Sequence, residues 1–110
     1  MWLNSNNIDE YLKGISVVEV SGEGCANCIS LMNVLDSIMK NYNDVNLYHI
    51  EVEEKTMDLV ERFEISAVPS ILVFYNDKIM ARCRGFQPEE ILEIWLDSKI
   101  NDIKKENGIA

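Results

Sequence analysis

Cysteine, basic side chains and long apolar runs are all scarce in this chain, and each scarcity excludes something. Three cysteines in 110 residues are an odd and small number for a disulfide scaffold. Ten Lys and Arg stand against nineteen Asp and Glu, a formal net charge of −9 with a pI near 4.5. That balance argues against nucleic acid and anionic membrane as partners and is compatible with basic or neutral proteins. No apolar run approaches the ~20 residues of a membrane span. The first residues, Met1 to Asn7, have no basic region and no apolar core of signal-peptide length. The expected compartment is therefore the cytoplasm, where lasting structural disulfides are rare. Repeats, low-complexity segments and interdomain linkers are also missing.

What is present fits one small domain with one core: the chain is 47% hydrophobic, too apolar for disorder. The hydrophobic spacing predicts a short helix over 5–13, stopped at Gly14, and a β-branched strand over 15–20. A second helix is predicted over 26–41, a strand over 45–52 and a third helix over 54–64. The apolar run Ser70–Tyr75 reads as a strand, and Asn76-Asp77 as a two-residue turn into a last strand, Lys78–Arg84. Gly85 and Pro88 break the chain before an amphipathic helix over 89–103. The predicted domain is 1–103, with a polar tail over 104–110. The order α, β, α, β, α, β, β, α predicts an α/β fold: helical crossovers between parallel strands, then an antiparallel hairpin, in a mixed four-stranded sheet.

The chemistry concentrates at Gly22-Glu23-Gly24-Cys25-Ala26-Asn27-Cys28. Two cysteines three apart follow a strand and open a helix with apolar Ile29, Met32, Leu35 and Met39. Free N–H groups and the positive end of the peptide dipoles lie at a helix start. A thiol placed there has its pKa lowered from about 8.5 toward roughly 3.5–7.5. The second thiol, one turn on, can close a disulfide with the first and reopen it. A zinc site is the competing reading of the pair. Cys83 and His49 are the remaining soft ligands, but they form no second local pair. Otherwise Cys83 reads as a small hydrophobe and His49 as a satisfied strand residue. Glu19 is an anomaly, since a carboxylate inside an apolar strand needs a role or a partner. It could instead lie solvated at the strand end.

The element order, the Cys-x-x-Cys after the first main strand and Ala67-Val68-Pro69-Ser70 before the hairpin resemble the thioredoxin family over roughly residues 5–103. The resemblance implies a thioredoxin-like fold and a thiol–disulfide oxidoreductase acting on protein disulfides, with Cys25 as nucleophile and Cys28 as resolving thiol. It implies a cis Val68–Pro69 bond facing the dithiol, backbone groups at Val68 for an extended partner, and open space beside Gly85. It places Glu19, six residues before Cys25, where the family has a buried aspartate that exchanges protons with the second cysteine. No cofactor or metal is implied, and electrons would come from a reductase or small thiol. Thioredoxins usually have Trp before the first cysteine and Gly-Pro between the two; this chain has Gly24 and Ala26-Asn27. The rival readings are a glutathione-linked enzyme, for which no basic carboxylate-binding motif is evident, and a redox-inactive thioredoxin-like adaptor.

Overall fold

In the computed structural model, which describes residues 1–109, a four-stranded sheet carries the chain. Strand β1 (Ile15–Gly22) is followed by helix α2 (Ala26–Met39) and strand β2 (Val45–Val52). A single 3-10 turn and helix α3 (Met57–Arg62) lead to β3 (Ser70–Tyr75), β4 (Lys78–Arg84) and α4 (Glu89–Glu106), and α1 (Ile8–Tyr11) precedes them all. The strand order is β2-β1-β3-β4. β1 runs parallel to β2 and antiparallel to β3, and β3 runs antiparallel to β4. The first crossover is therefore parallel, as expected. The second is not: α3 carries the chain past β1, so β3 enters from the opposite end.

The two-residue alternation of β1 sorts its side chains onto two cores. Ile15 and Val17 face α2 and α4, with Leu31, Leu35, Ile38, Leu92 and Leu96. Val18 and Val20 face α1 and α3, with Ile8, Leu59, Phe63 and Phe74. Each fully buried Leu or Ile contributes about 1.5–3 kcal/mol by leaving water, so the two layers are held mainly by these side chains. Glu19 and Ser21 continue the odd-numbered series and therefore lie on the α2 face. His49 and Glu51 pair with Glu19 and Ser21 in the β1–β2 register.

Several element limits differ from the predicted ones. α1 is only four residues long, because Asn4 and Asn7 bond to each other's loop backbone instead of extending the helix: Asn4 Oδ1 accepts from Asn6 and Asn7, and Asn7 Oδ1 from Asn4. The third helix is split, with a 3-10 turn over Glu54–Thr56 before α3. α4 runs to Glu106, three residues past its predicted end. Lys104 pairs with Asp44 at 2.7 Å, and the Asn107 side chain donates to the Ile103 carbonyl. The remainder of the predicted tail is short, and its last residue, Ala110, lies outside the described residues.

The buried stripe of α2 is also rotated from the predicted one. Cys28, Leu31, Leu35, Ile38 and Met39 are buried, whereas Ile29 is 65% exposed. On α4 the predicted core position Ile91 is 55% exposed, while Ile100 is buried.

Candidate active site

Helix α2 begins at the C-terminal end of the parallel β1–β2 pair, where open sheets leave room for ligands. Cys25 is its N-cap residue, in an extended conformation, and its Sγ accepts from the Cys28 N–H at 3.2 Å. Gly24, at φ +70°, provides the left-handed turn into the cap that a residue with a Cβ would resist. Cys25 and Cys28 form a disulfide across a Cα–Cα distance of 5.3 Å. The two cysteines differ in exposure: Cys28 is 2% exposed, while Cys25 stands part-exposed at the helix tip.

Beneath α2 lies a buried polar group. Glu19 is fully buried, so the solvated alternative is excluded. Its Oε1 and the Nδ1 of His49 are 3.0 Å apart, and its Oε2 accepts from the Ser21 hydroxyl. Ser21 also contacts the Met32 sulfur at 3.7 Å. His49 thus has a partner thirty residues away in sequence, which no local motif could reveal. It is covered by the Trp2 ring, 5.1 Å between centroids. Trp2 is held there by backbone pairing on the outer edge of β2: His49 N donates to the Met1 carbonyl at 2.8 Å, and Leu3 N to the His49 carbonyl at 2.7 Å.

The other predicted site residues lie on the turn before β3 and the end of β4. The Val68–Pro69 bond is cis, as the family resemblance implied. Gly85, at φ +82° with open space where a Cβ would stand, donates its N–H to the Pro69 carbonyl at 2.8 Å. Val68 is 40% exposed and leans on Gly22, where an added Cβ would be 3.1 Å from Val68 Cγ2. This contact joins the Val68–Pro69 turn to the end of β1, just before the dithiol.

Cys83 and His49 are not neighbours. They lie on β4 and β2, the two edge strands of the sheet, roughly 14 Å apart at ~4.8 Å per strand. They cannot both reach Cys25 and Cys28 around one ion. Among the described residues, no group of three or more His, Cys, Asp or Glu side chains is placed to hold a metal.

A chain with these elements in this order, and a disulfide between a helix cap and its first turn beside a cis proline turn, invites comparison with known proteins. The thioredoxin family model matches residues 2–98. The chain belongs to the thioredoxin family. It is 25% identical over 91 residues to a thioredoxin of Chlamydia pneumoniae, covering 82% of this chain and 88% of that protein. Against a thioredoxin of Staphylococcus haemolyticus it is 25% identical over 100 residues, covering 89% and 95%. In fold it is similar to thioredoxin f2 of Chlamydomonas reinhardtii, with a TM-score of 0.76 at 16% identity, covering 86% of this chain and 91% of that one. As a member of the thioredoxin family with a disulfide-forming Cys25–Cys28 pair, the protein is a thiol–disulfide oxidoreductase.

Sequence reasoning missed four residues around this centre: Trp2, Ser21, Met32 and Glu51 line the same cleft as the dithiol, about 510 Å³ in volume. The helical spacing marks Met32 only as an apolar position. Alternation along β1 could have put Ser21 on the Glu19 face. Nothing in the sequence marks Trp2, because a three-residue edge pairing is too short to carry a periodic signal. Glu51 has its carboxyl pushed above the ordinary range, first by a hydrogen bond with Glu53, then by burial and the charges of Glu53 and Glu23. Among the described residues, no helix is long and apolar enough to cross a membrane.

Proposed function

We propose that the protein reduces disulfides of other proteins in the cytoplasm, with electrons supplied by a separate reductase or small thiol. The Cys25 thiolate attacks one sulfur of the partner's disulfide, forming a mixed disulfide and expelling the other partner sulfur as a thiolate. Cys28 then attacks the Cys25 sulfur, forming the Cys25–Cys28 bond and releasing the second partner thiolate. Two electrons pass to the partner, and the expelled thiolates take up protons. Glu19 accepts the proton that Cys28 gives up, and the Ser21 hydroxyl, bonded to Glu19 and lining the same cleft as Cys28, serves as the relay. Backbone groups of Val68 receive the extended segment beside the partner's cysteine, as an added strand would be received, while Pro69 shapes the groove and Gly85 leaves room for the partner's backbone.

The observation that carries this reading is the difference in exposure between the two sulfurs. A partner can reach Cys25 but not Cys28, which is 2% exposed, so the second thiol can act only from within. The test is covalent trapping. Cys28→Ser keeps the shape of the site but has no thiolate to resolve the mixed disulfide. It should yield discrete high-mass bands on non-reducing gels of lysate, removed by dithiothreitol. Cys25→Ser should yield few. Equal trapping by both variants would reverse or blur the two roles. No trapping by either, together with a wild type unable to reduce a protein disulfide, would leave a redox-inactive adaptor.

A further inference from the structure

The cleft beside the dithiol is lined by Trp2 of the N-terminal segment and not by the Val68–Pro69 turn. Its walls combine two chemistries. Trp2, Ile29 and Met32 give it an apolar floor next to Cys25 and Cys28. Ile29, at 65% exposure, and Trp2, at 49%, are large apolar side chains that the fold itself leaves in water. At the rim stand Glu23 and Glu51. A second cleft of about 350 Å³ adjoins the first, sharing Trp2 and Glu51 and adding Glu53. Of the residues lining the two clefts, Lys55 is the sole cation, and it lines only the second.

The carboxylates crowd one another. The Glu51 carboxyl is held above its ordinary range, foremost by its hydrogen bond with Glu53. A cation brought among them would relieve that repulsion, and the chain's net charge of −9 would draw the same cation in from a distance. Carboxylates spread over two adjoining clefts, with apolar side chains lining the one that holds the dithiol, suit a peptide segment better than a small thiol.

We infer that this cleft selects the partner: a protein disulfide whose flanking residues include a Lys or Arg and an aliphatic side chain. The aliphatic group enters between Trp2, Ile29 and Met32 while the basic group meets Glu51, Glu53 and Glu23. The inference rests on the disulfide-reducing function proposed above and names the substrate class for that same centre.

The test uses three short cyclic cystine peptides that differ only beside the cystine, carrying Lys and Leu, Glu and Leu, or Lys and Ser. Flanking charge also changes the leaving thiol, so each rate is divided by that peptide's rate with dithiothreitol. The Lys–Leu peptide should be reduced about tenfold faster than the Glu–Leu peptide at low ionic strength, with the gap closing as salt is added. It should also exceed the Lys–Ser peptide. Glu51→Gln/Glu53→Gln should shrink the first ratio, and Trp2→Ala the second, in protein whose circular dichroism matches wild type. Equal rates within either peptide pair, or ratios unchanged by the substitutions, overturn the inference. Neutral hydroxyethyl disulfide separates the two failures. If the wild type reduces it but does not discriminate among the peptides, the cleft assignment alone falls. If it reduces neither this compound nor any peptide, both readings fall.

Discussion

Glu19 and His49 stand opposite each other in the parallel β1–β2 register, and their side chains meet beneath helix α2, Oε1 to Nδ1 at 3.0 Å. A carboxylate in the middle of an apolar strand is costly unless its lone pairs are used. Here the imidazole takes one side of the carboxylate and the Ser21 hydroxyl the other.

The pair should behave as a unit in stability. His49→Leu leaves the buried Glu19 with Ser21 alone and should cost about 3–5 kcal/mol, the usual penalty for breaking a buried pair from one side. Glu19→Leu/His49→Leu removes both polar groups and should be more stable than His49→Leu. Urea unfolding of the four proteins in the cycle measures this. Additive losses would mean that the two side chains do not support one another.

The reduced protein should show a clear order of thiol reactivity. Cys25 is part-exposed at the helix cap, while Cys28 is 2% exposed. Burial pushes the Cys83 thiol above its ordinary range, so at neutral pH it is less ionised than a free thiol, and its thiolate appears only as the pH rises past that range. Limiting iodoacetamide followed by mass spectrometry should label Cys25 first. Cys83 labelling should climb steeply only at alkaline pH. Early labelling of Cys83 at neutral pH would contradict both assignments.

Gly22 and Val68 provide a test that separates the site from the fold. A side chain at Gly22 must push against Val68 Cγ2, 3.1 Å from the added Cβ. Val68 is 40% exposed and can give way. Gly22→Val should therefore lower the rate of protein-disulfide reduction more than it lowers stability. Val68→Ala added to it should restore part of the rate. An unchanged rate in Gly22→Val would show that the position of Val68 does not matter to exchange.

The rotation of helix α2 predicts opposite outcomes for two residues two positions apart. Leu31 is fully buried and Ile29 is 65% exposed. Leu31→Ala should cost about 2–5 kcal/mol through lost burial and a cavity. Ile29→Ala should stay within about 0.5 kcal/mol of wild type. Thermal or urea unfolding distinguishes them, and a large loss at Ile29 would place the buried stripe where the sequence spacing had suggested.

Much of the architecture was legible in the amino-acid sequence because it depends on local periodicity and punctuation. The β-branched run at Ile15–Val20, the strand Val45–Val52, which was read to the residue, and the Asn76-Asp77 turn all follow from neighbours in the chain. The redox centre was legible for the same reason: Cys25 and Cys28 are one helical turn apart, and that turn brings them together. The Val68–Pro69 element was read from family resemblance rather than from spacing. Tertiary structure decided what depends on distant segments meeting. It reversed β3 relative to β1, chose which side of α2 is buried, gave Glu19 its partner His49 from the neighbouring strand, and laid Trp2 over that pair beside the dithiol. A periodic pattern gives the spacing of a buried stripe, but small shifts in its phase cost little within the helix itself. Only the sheet surface against which α2 packs fixes which side chains leave water, and so which remain exposed around the reactive sulfurs.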